Sequence, residues 1–301
     1  MAGPDPRGHR RAIALMVIAA TLWSIAGVVT RHLEGAGRWE VTFWRSLFAA
    51  VFVLAALLLT RGGKAWGAVR ATGGYGILSG AMWAVMFVAF MLALMTTTTA
   101  NTLIVNSIAP LITALLARAV LREPIAPRTW AAIVLAIAGM LWMFGAGLAG
   151  GEPRHLAGML IALAVPLAAA VNLVTLKHAG ASVDLIPAVF LGAVFSALAT
   201  LPFALPLSLS VHDLILLGVL GSLQLGLPCM LLVRASPNLS APEIALLALL
   251  EVVLGPLWAW LGAGETPAPQ TLAGGAVVIA ALLLNELAAL GVRVRATRGP
   301  G

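Results

Sequence analysis

Polar side chains buried in long apolar runs are the places where this 301-residue chain can do chemistry. Glu251 stands 11 residues after Ser240. At ~1.5 Å of rise per residue it lies about half way through a ~30 Å hydrocarbon layer. A carboxyl at that depth binds an amino group, carries a proton, or hydrogen-bonds a neighbouring helix. Asn106, Asn172 and Gln224 are amides at similar depth. Each can donate to and accept from a ligand bearing both charges, or join two helices. Arg45 lies one to two turns inside its run. It either reaches back to the outer interface or meets a substrate carboxylate or Glu40. Ser240-Ala241-Pro242-Glu243 has the spacing of a capping box, which makes Glu243 a helix-start residue. Thr98 to Asn101 repeats that form, and Asn101 can cap its helix while facing a cavity mouth. Trp23, Trp83, Phe87, Met86 and Met230 lie in the same runs and suit an apolar cavity wall or plain packing.

Catalysis is not expected. All five histidines (His9, His32, His155, His178, His212) fall at the ends of apolar runs, and no Lys or Asp lies in the middle of one. No set of residues has metal-ligand spacing, and no Ser-His-Asp or Ser-Lys set shares one depth. The chain therefore reads as a non-enzyme that needs neither metal nor cofactor. Four prolines, Pro110, Pro166, Pro228 and Pro256, fall inside apolar runs. A proline within a helix removes one hydrogen bond and kinks it. Pro110 frees the carbonyl of Asn106, and Pro256 that of Val252 beside Glu251. These four are the candidate kink and gating positions.

The elements that must position these groups are membrane helices. The chain is 61% hydrophobic and 10% charged, against about 25% charged in a soluble chain. Ten runs approach the ~20 residues that a bilayer needs: Ala12–Arg31, Glu40–Thr60, Thr72–Met95, Thr98–Val120, Thr129–Gly147, Leu156–Leu176, Asp184–Leu205, His212–Arg234, Ser240–Gly262 and Gln270–Leu290. Fourteen of the 18 Lys and Arg fall in connections on the amino-terminal side of these runs, which places both termini in the cytoplasm. The net charge of +7 is thus a topology signal, and no nucleic acid is expected. Cys229, the single cysteine, lies inside a run and builds no disulfide framework. Residues 1–11 read as a disordered cytoplasmic arm, 148–155 as a periplasmic linker and 291–301 as a basic cytoplasmic tail.

The runs are duplicated. A shift of 142 positions carries Glu123 onto Glu265, Ala126 onto Ala268, Pro127 onto Pro269 and Thr129 onto Thr271. The same shift carries the ladder Gly76, Gly80, Ala84 onto Gly218, Ser222, Gly226, and a shift of 146 carries Arg31-His32 onto Lys177-His178. The two repeats are residues 12–147 and 156–290. Each holds five runs, an odd number, so the copies face opposite ways across the membrane. That is the inverted-repeat plan of secondary transporters, with the site expected where matching helices are interrupted. The fold class is an all-α polytopic membrane protein of ten transmembrane helices in two inverted five-helix repeats.

These features resemble the drug/metabolite transporter superfamily, EamA type. The resemblance rests on Thr21-Leu22-Trp23-Ser24 in the first run and Arg45 in the second. It rests also on Pro110-Leu111 in the fourth run and on Arg122 to Pro127, which read REPIAP. In the second copy it rests on Leu250-Glu251 and Gly264-Glu265-Thr266. The family often has Pro directly after the glutamate matching Glu251, and Val252 stands there instead, so the kink is expected from Pro256. The resemblance implies a multi-pass exporter of the bacterial inner membrane working by alternating access, and the aromatic/neutral amino-acid exporter group is the nearest in character. In that reading Asn101, Asn106, Asn172 and Gln224 hold the α-amino and carboxyl groups, and Trp23, Ser24, Trp83 and Phe87 line the pocket for the side chain. Glu251 is the charge that differs between states. The partners are then an amino acid or similar small metabolite and the lipid bilayer, and a monomer would suffice. The rival within transport is multidrug efflux of cationic or amphipathic compounds. The first run offers Ser24 and no acid to such a cation. A structural membrane protein would not need polar groups and kinks repeated in both halves.

Overall fold

The structure, a computed structural model, describes residues 6–30, 32–97, 99–122, 124–144, 153–180, 183–263 and 269–298. The described residues fold into helices joined by short connections. In chain order these are α1 (Pro6–Ser24), α2 (Ala26–Thr30), α3 (Arg38–Arg61), α4 (Ala65–Ala71), α5 (Gly73–Thr96), α6 (Thr99–Asn106), α7 (Ala109–Val120) and α8 (Pro127–Phe144). The second half continues with α9 (Pro153–Ala179), α10 (Ile186–Ala204), α11 (Val211–Val219), a π-helical segment (Leu220–Gly226), α12 (Leu227–Ala235), α13 (Ala241–Ala248), α14 (Leu250–Ala263) and α15 (Pro269–Arg298). Among the described residues seven helical stretches are long and apolar enough to cross a membrane. Ala109–Val120, Pro127–Trp142 and Leu272–Asn285 are apolar but shorter.

Two expectations at the ends change. Residues 6–11 of the expected disordered arm are the first turns of α1, and α15 carries helix through most of the expected tail, to Arg298. His9 is buried and its ring Nδ1 meets the carbonyl of Asn238 at 3.1 Å. That contact gives the start of α1 a packing partner which its polar composition does not announce.

The packing follows the duplication. Where α5 packs on α9, α12 packs on α1; where α10 packs on α5, α3 packs on the π segment; where α7 packs on α9, α14 packs on α1. The pairs α3 with α10 and α8 with α15 join equivalent helices of the two halves, and α7 packs on α13, the first piece of the interrupted helix equivalent to its own. Several of the helix contacts are thus repeated by a two-fold mate. Two glycines permit the closest approaches. A Cβ at Gly192 of α10 would lie 2.4 Å from the Cβ of Trp83 on α5. One at Gly221 would lie 2.5 Å from the backbone oxygen of Arg45 on α3. Both contacts seat a helix by bringing backbones together without side chains between them.

The connections at the two ends of the bundle are tied by hydrogen bonds. At one end Arg61 pairs with Asp184, and His9 meets Asn238. At the other, buried Asp213 accepts from the backbone N–H groups of Glu34 (3.0 Å) and Gly35 (3.3 Å), and Glu40 accepts from Ser208 N–H at 2.6 Å.

Candidate functional site

Four of the rods are interrupted. α1 gives way to α2 at Ile25, and α6 to α7 at Ser107 and Ile108. α11 passes through the π segment before α12, and α13 gives way to α14 at Leu249. Interrupted helices expose backbone and turn side chains in directions that an unbroken helix does not allow, and at membrane depth they are tolerated where they face a cavity.

The interruptions have local causes. Pro110 sits in the first turn of α7, where its missing N–H costs nothing, so the helix restarts there after Ile108 N–H has tightened onto the carbonyl of Val105. Pro228 opens α12 in the same way, and the turn before it widens to π geometry, with Leu227 N–H reaching back to the carbonyl of Ser222. At Leu249 no proline intervenes. Leu249 N–H bonds the carbonyl of Leu246 and Val252 N–H that of Leu249, both at 3.0 Å and both tightened to three-residue spacing. The expected kink at Pro256 is therefore replaced by a break just before Glu251, and α14 runs on through residue 256. Pro166 lies within the continuous α9.

One cavity of about 140 Å3 opens among these interruptions. A void of ~150 Å3 takes a benzene-sized molecule. Trp23 lines it from the end of α1, Asn106 and Ala109 from either side of the α6–α7 break, Gln224 from the π segment, and Glu251 from the first turn of α14. Trp83 and Phe87 of α5 form an aromatic wall with ring centroids 5.7 Å apart, and Asn172 comes from α9. Seven of the nine candidate binding residues thus share one cavity: Trp23, Trp83, Phe87, Asn106, Asn172, Gln224 and Glu251.

Ser24 does not line the cavity. It is buried, its hydroxyl donates to the carbonyl of Thr21 at 2.6 Å, and it accepts from Trp258 Nε1 at 2.7 Å, tying α1 to α14. Its depth suited a ligand, but its neighbour on the chain, Trp23, faces the cavity and Ser24 faces the adjacent helix. Asn101 lies on α6, and its side chain is outside the described residues, as is Thr98. Glu243 forms the capping box in full, with Ser240 N–H donating to its carboxylate at 2.7 Å and Glu243 N–H donating to Ser240 Oγ at 3.3 Å.

Arg45 is the residue whose place differs most from the interfacial one. It neither reaches the interface nor pairs with Glu40, which is bonded to Ser208. It is only 4% exposed and lines the cavity. Its Nε has no hydrogen-bond partner. Its depth in the run was readable, and the direction of the side chain was not.

The amides are held by neighbours. Ser79 Oγ donates to Asn172 Oδ1 at 2.6 Å, and Gln224 Nε2 donates to the carbonyl of Trp23 at 3.2 Å. The second bond spans the two halves and uses the carbonyl beside the α1 interruption. The opposite face of Gln224, its Oε1, has no protein partner. The expected cavity lay between runs one, three, four, six, eight and nine, and each of these contributes, with run two added through Arg45. α8 and α15 take no part in the lining; they pack on each other, with Thr129 Oγ1 donating to Asn285 Oδ1 at 3.1 Å.

Comparison with known proteins finds a match to a family described as "EamA-like transporter family", at residues 10–145 and again at 156–287. No curated protein matches the chain. Chains of solved structures do, 29 of them. One crystal structure shares 19% sequence identity and superposes with a TM-score of 0.78, over 93% of this chain and 98% of that one. At that identity the likeness is one of fold.

Proposed function

This chain belongs to the EamA-like transporter family, of two repeats and transporting small molecules across a membrane, and we propose that it exports neutral and aromatic amino acids by alternating access. The observation that carries this reading is the cavity itself, which gathers polar groups from both repeats at their helix interruptions and sets them against an aromatic wall. Trp83 and Phe87, with Trp23 across the cavity, take the side chain, and the amides with Glu251 take the polar end. Asn101 belongs to the same set by its place on α6.

We also read the three shorter apolar helices as crossings, α7 together with α6, for a total of ten in two inverted sets of five. The end-to-end ties support this. Alternating crossings bring the connections at residues 62–72 and 183–185 to one side and those at residues 32–37 and 205–210 to the other, and the hydrogen bonds join them in those groups. The bias of Lys and Arg supports both termini in the cytoplasm, and the family resemblance supports the inner membrane of a bacterial cell.

The test is uptake of labelled amino acids into proteoliposomes holding the purified protein, with and without a proton gradient. Saturable uptake of neutral or aromatic amino acids is expected, and a response to the gradient would give Glu251 a coupling role. If no amino acid enters above empty liposomes while cationic dyes do, the reading gives way to multidrug efflux.

A further inference from the structure

Charged and half-satisfied groups line the cavity in two opposite kinds. Arg45 is a buried guanidinium whose Nε lacks a partner, and the indole Nε1 of buried Trp83 lacks one too. Both are donors only. Gln224 offers a buried Oε1 with no partner, and Glu251 has no hydrogen bond to a described residue. Both of these oxygens are acceptors towards an ammonium group. Of the seven buried side-chain atoms without a partner among the described residues, three belong to this one cavity. Unpaired polar atoms in an apolar interior are costly, and an unpaired charge more so. Their concentration around one void is the signature of a ligand that completes them.

Arg45 and Glu251 do not complete each other. No ion pair within 4.0 Å joins them among the described residues, although both line the same cavity. Arg45 comes from α3 in the first repeat and Glu251 from α14 in the second. Backbone contacts fix both ends of this arrangement. The carbonyl of Arg45 is seated on Gly221, and Glu251 is held in the first turn of α14 by the tightened bond at Leu249.

We propose that the cavity selects its substrate as a zwitterion, with Arg45 and Trp83 Nε1 taking the carboxylate and Glu251 and Gln224 Oε1 taking the ammonium. This rests on the cavity being the transport site and assigns the charges to Arg45 and Glu251 rather than to the amides alone. A molecule with only one charge leaves the opposite residue buried and unmatched, so single-charge amines and acids are rejected whatever their side chain. Because the two charged residues belong to different repeats, a bound zwitterion also bridges the halves that must move against each other.

The experiment is binding of four probes to the full-length protein in nanodiscs: L-phenylalanine, 2-phenylethylamine, 3-phenylpropionate and L-phenylalanine methyl ester. The first is expected to bind about 10-fold or more tightly than the other three, the scale of one charged hydrogen bond. Arg45→Gln should weaken L-phenylalanine and shift relative preference towards 2-phenylethylamine, and Glu251→Gln should shift it towards 3-phenylpropionate. Arg45→Lys keeps the charge and should keep the preference for the zwitterion, which separates recognition from a fold defect. Equal binding of L-phenylalanine and 2-phenylethylamine to the wild-type protein would overturn the assignment while leaving the amino-acid exporter reading in place. If Arg45→Gln and Glu251→Gln each weaken all four probes by one common factor, the assignment is overturned as well. Binding of a cationic dye with none of the four would sink both readings together.

Discussion

The two interrupted helices α6–α7 and α13–α14 occupy equivalent places yet do different work. A shift of 142 positions carries Asn106 onto Ala248 and Ala109 onto Glu251, and all four line the cavity. In the first repeat the polar group ends the half-helix before the break. In the second it starts the half-helix after it. The same shift carries Trp83 onto Leu225, Phe87 onto Cys229 and Phe90 onto Leu232, again with every member lining the cavity. The shift of 146 carries Trp23 onto Ala169, another such pair. The first repeat therefore supplies the aromatic wall and the cation, and the second the smaller side chains and the acid. Duplication built a symmetric frame, and divergence made the space inside it polar along one direction. A symmetric cavity would hold an asymmetric ligand in two orientations; under the zwitterion proposal this one favours a single orientation.

The largest effect should come from breaking that polarity at its acidic end. Glu251→Gln removes a charge-assisted contact of ~1.5–3 kcal/mol, or roughly 10- to 100-fold in apparent affinity. Asn106→Ala, at the other interruption, removes a neutral one of ~0.5–1.5 kcal/mol, roughly 2- to 10-fold. Proteoliposome flux at matched expression checks the ratio. Equal losses would mean that the two breaks are chemically equivalent after all.

Next in size are the two close backbone approaches, one on each side of the pseudo-symmetry. A methyl at Gly221 would meet the carbonyl of Arg45 at 2.5 Å, and one at Gly192 would meet Trp83 at 2.4 Å, so Gly→Ala at either must push helices apart. Overpacking of this kind costs about 1–3 kcal/mol. Gly255→Ala, where a Cβ meets nothing within 4 Å, serves as the control and should leave thermal stability in detergent unchanged. Of the two, Gly221→Ala should also depress flux more than its stability loss explains, because it displaces Arg45.

The aromatic wall gives a smaller, directional effect. Phe87→Cys copies the second repeat's residue into the first and removes bulk from the side-chain pocket. Competition of labelled L-phenylalanine by larger and smaller neutral amino acids should then shift towards the larger ones, by a few-fold, since a methylene in an apolar pocket is worth about 1–3 kcal/mol. Leu225→Phe should shift it the other way.

Depth along the chain was legible from sequence, and direction around the helix axis was not. Hydrocarbon penalises unpaired polar groups, so Asn106, Asn172, Gln224 and Glu251 stood out by position alone, and all four line the cavity. Helices that are apolar all round carry no stripe to say which face turns inward. Ser24 and Trp23 are adjacent, and only contact with Trp258 reveals that the serine faces a neighbour. Arg45 has a stem long enough to reach the interface from its depth, yet it lines the cavity, and the close approach of its backbone to Gly221 is a contact between distant segments that the sequence does not mark. The two-repeat plan was legible because turn and capping residues recur at a fixed spacing. The break at Leu249 was not, because it is made by shortened backbone bonds with no proline to mark it.

That last point gives the smallest and sharpest prediction. Under the shift of 142, Pro110 falls on Val252, so the first break has a proline where the second has none. If the two breaks share one geometry, Val252→Pro should be tolerated. It stands in the first turn of α14, where proline's fixed φ suits the helix start, and it loses only the bond from Val252 N–H to the carbonyl of Leu249. The expected cost is about 1 kcal/mol or less, offset in part by a stiffer unfolded chain, with flux within about two-fold of wild type. A proline forced into an unbroken helix interior costs ~3 kcal/mol or more. A drop of that size in thermal stability would show that α13 and α14 act as one continuous helix in the membrane, and that Glu251 is presented to the cavity from a helix side rather than from a helix start.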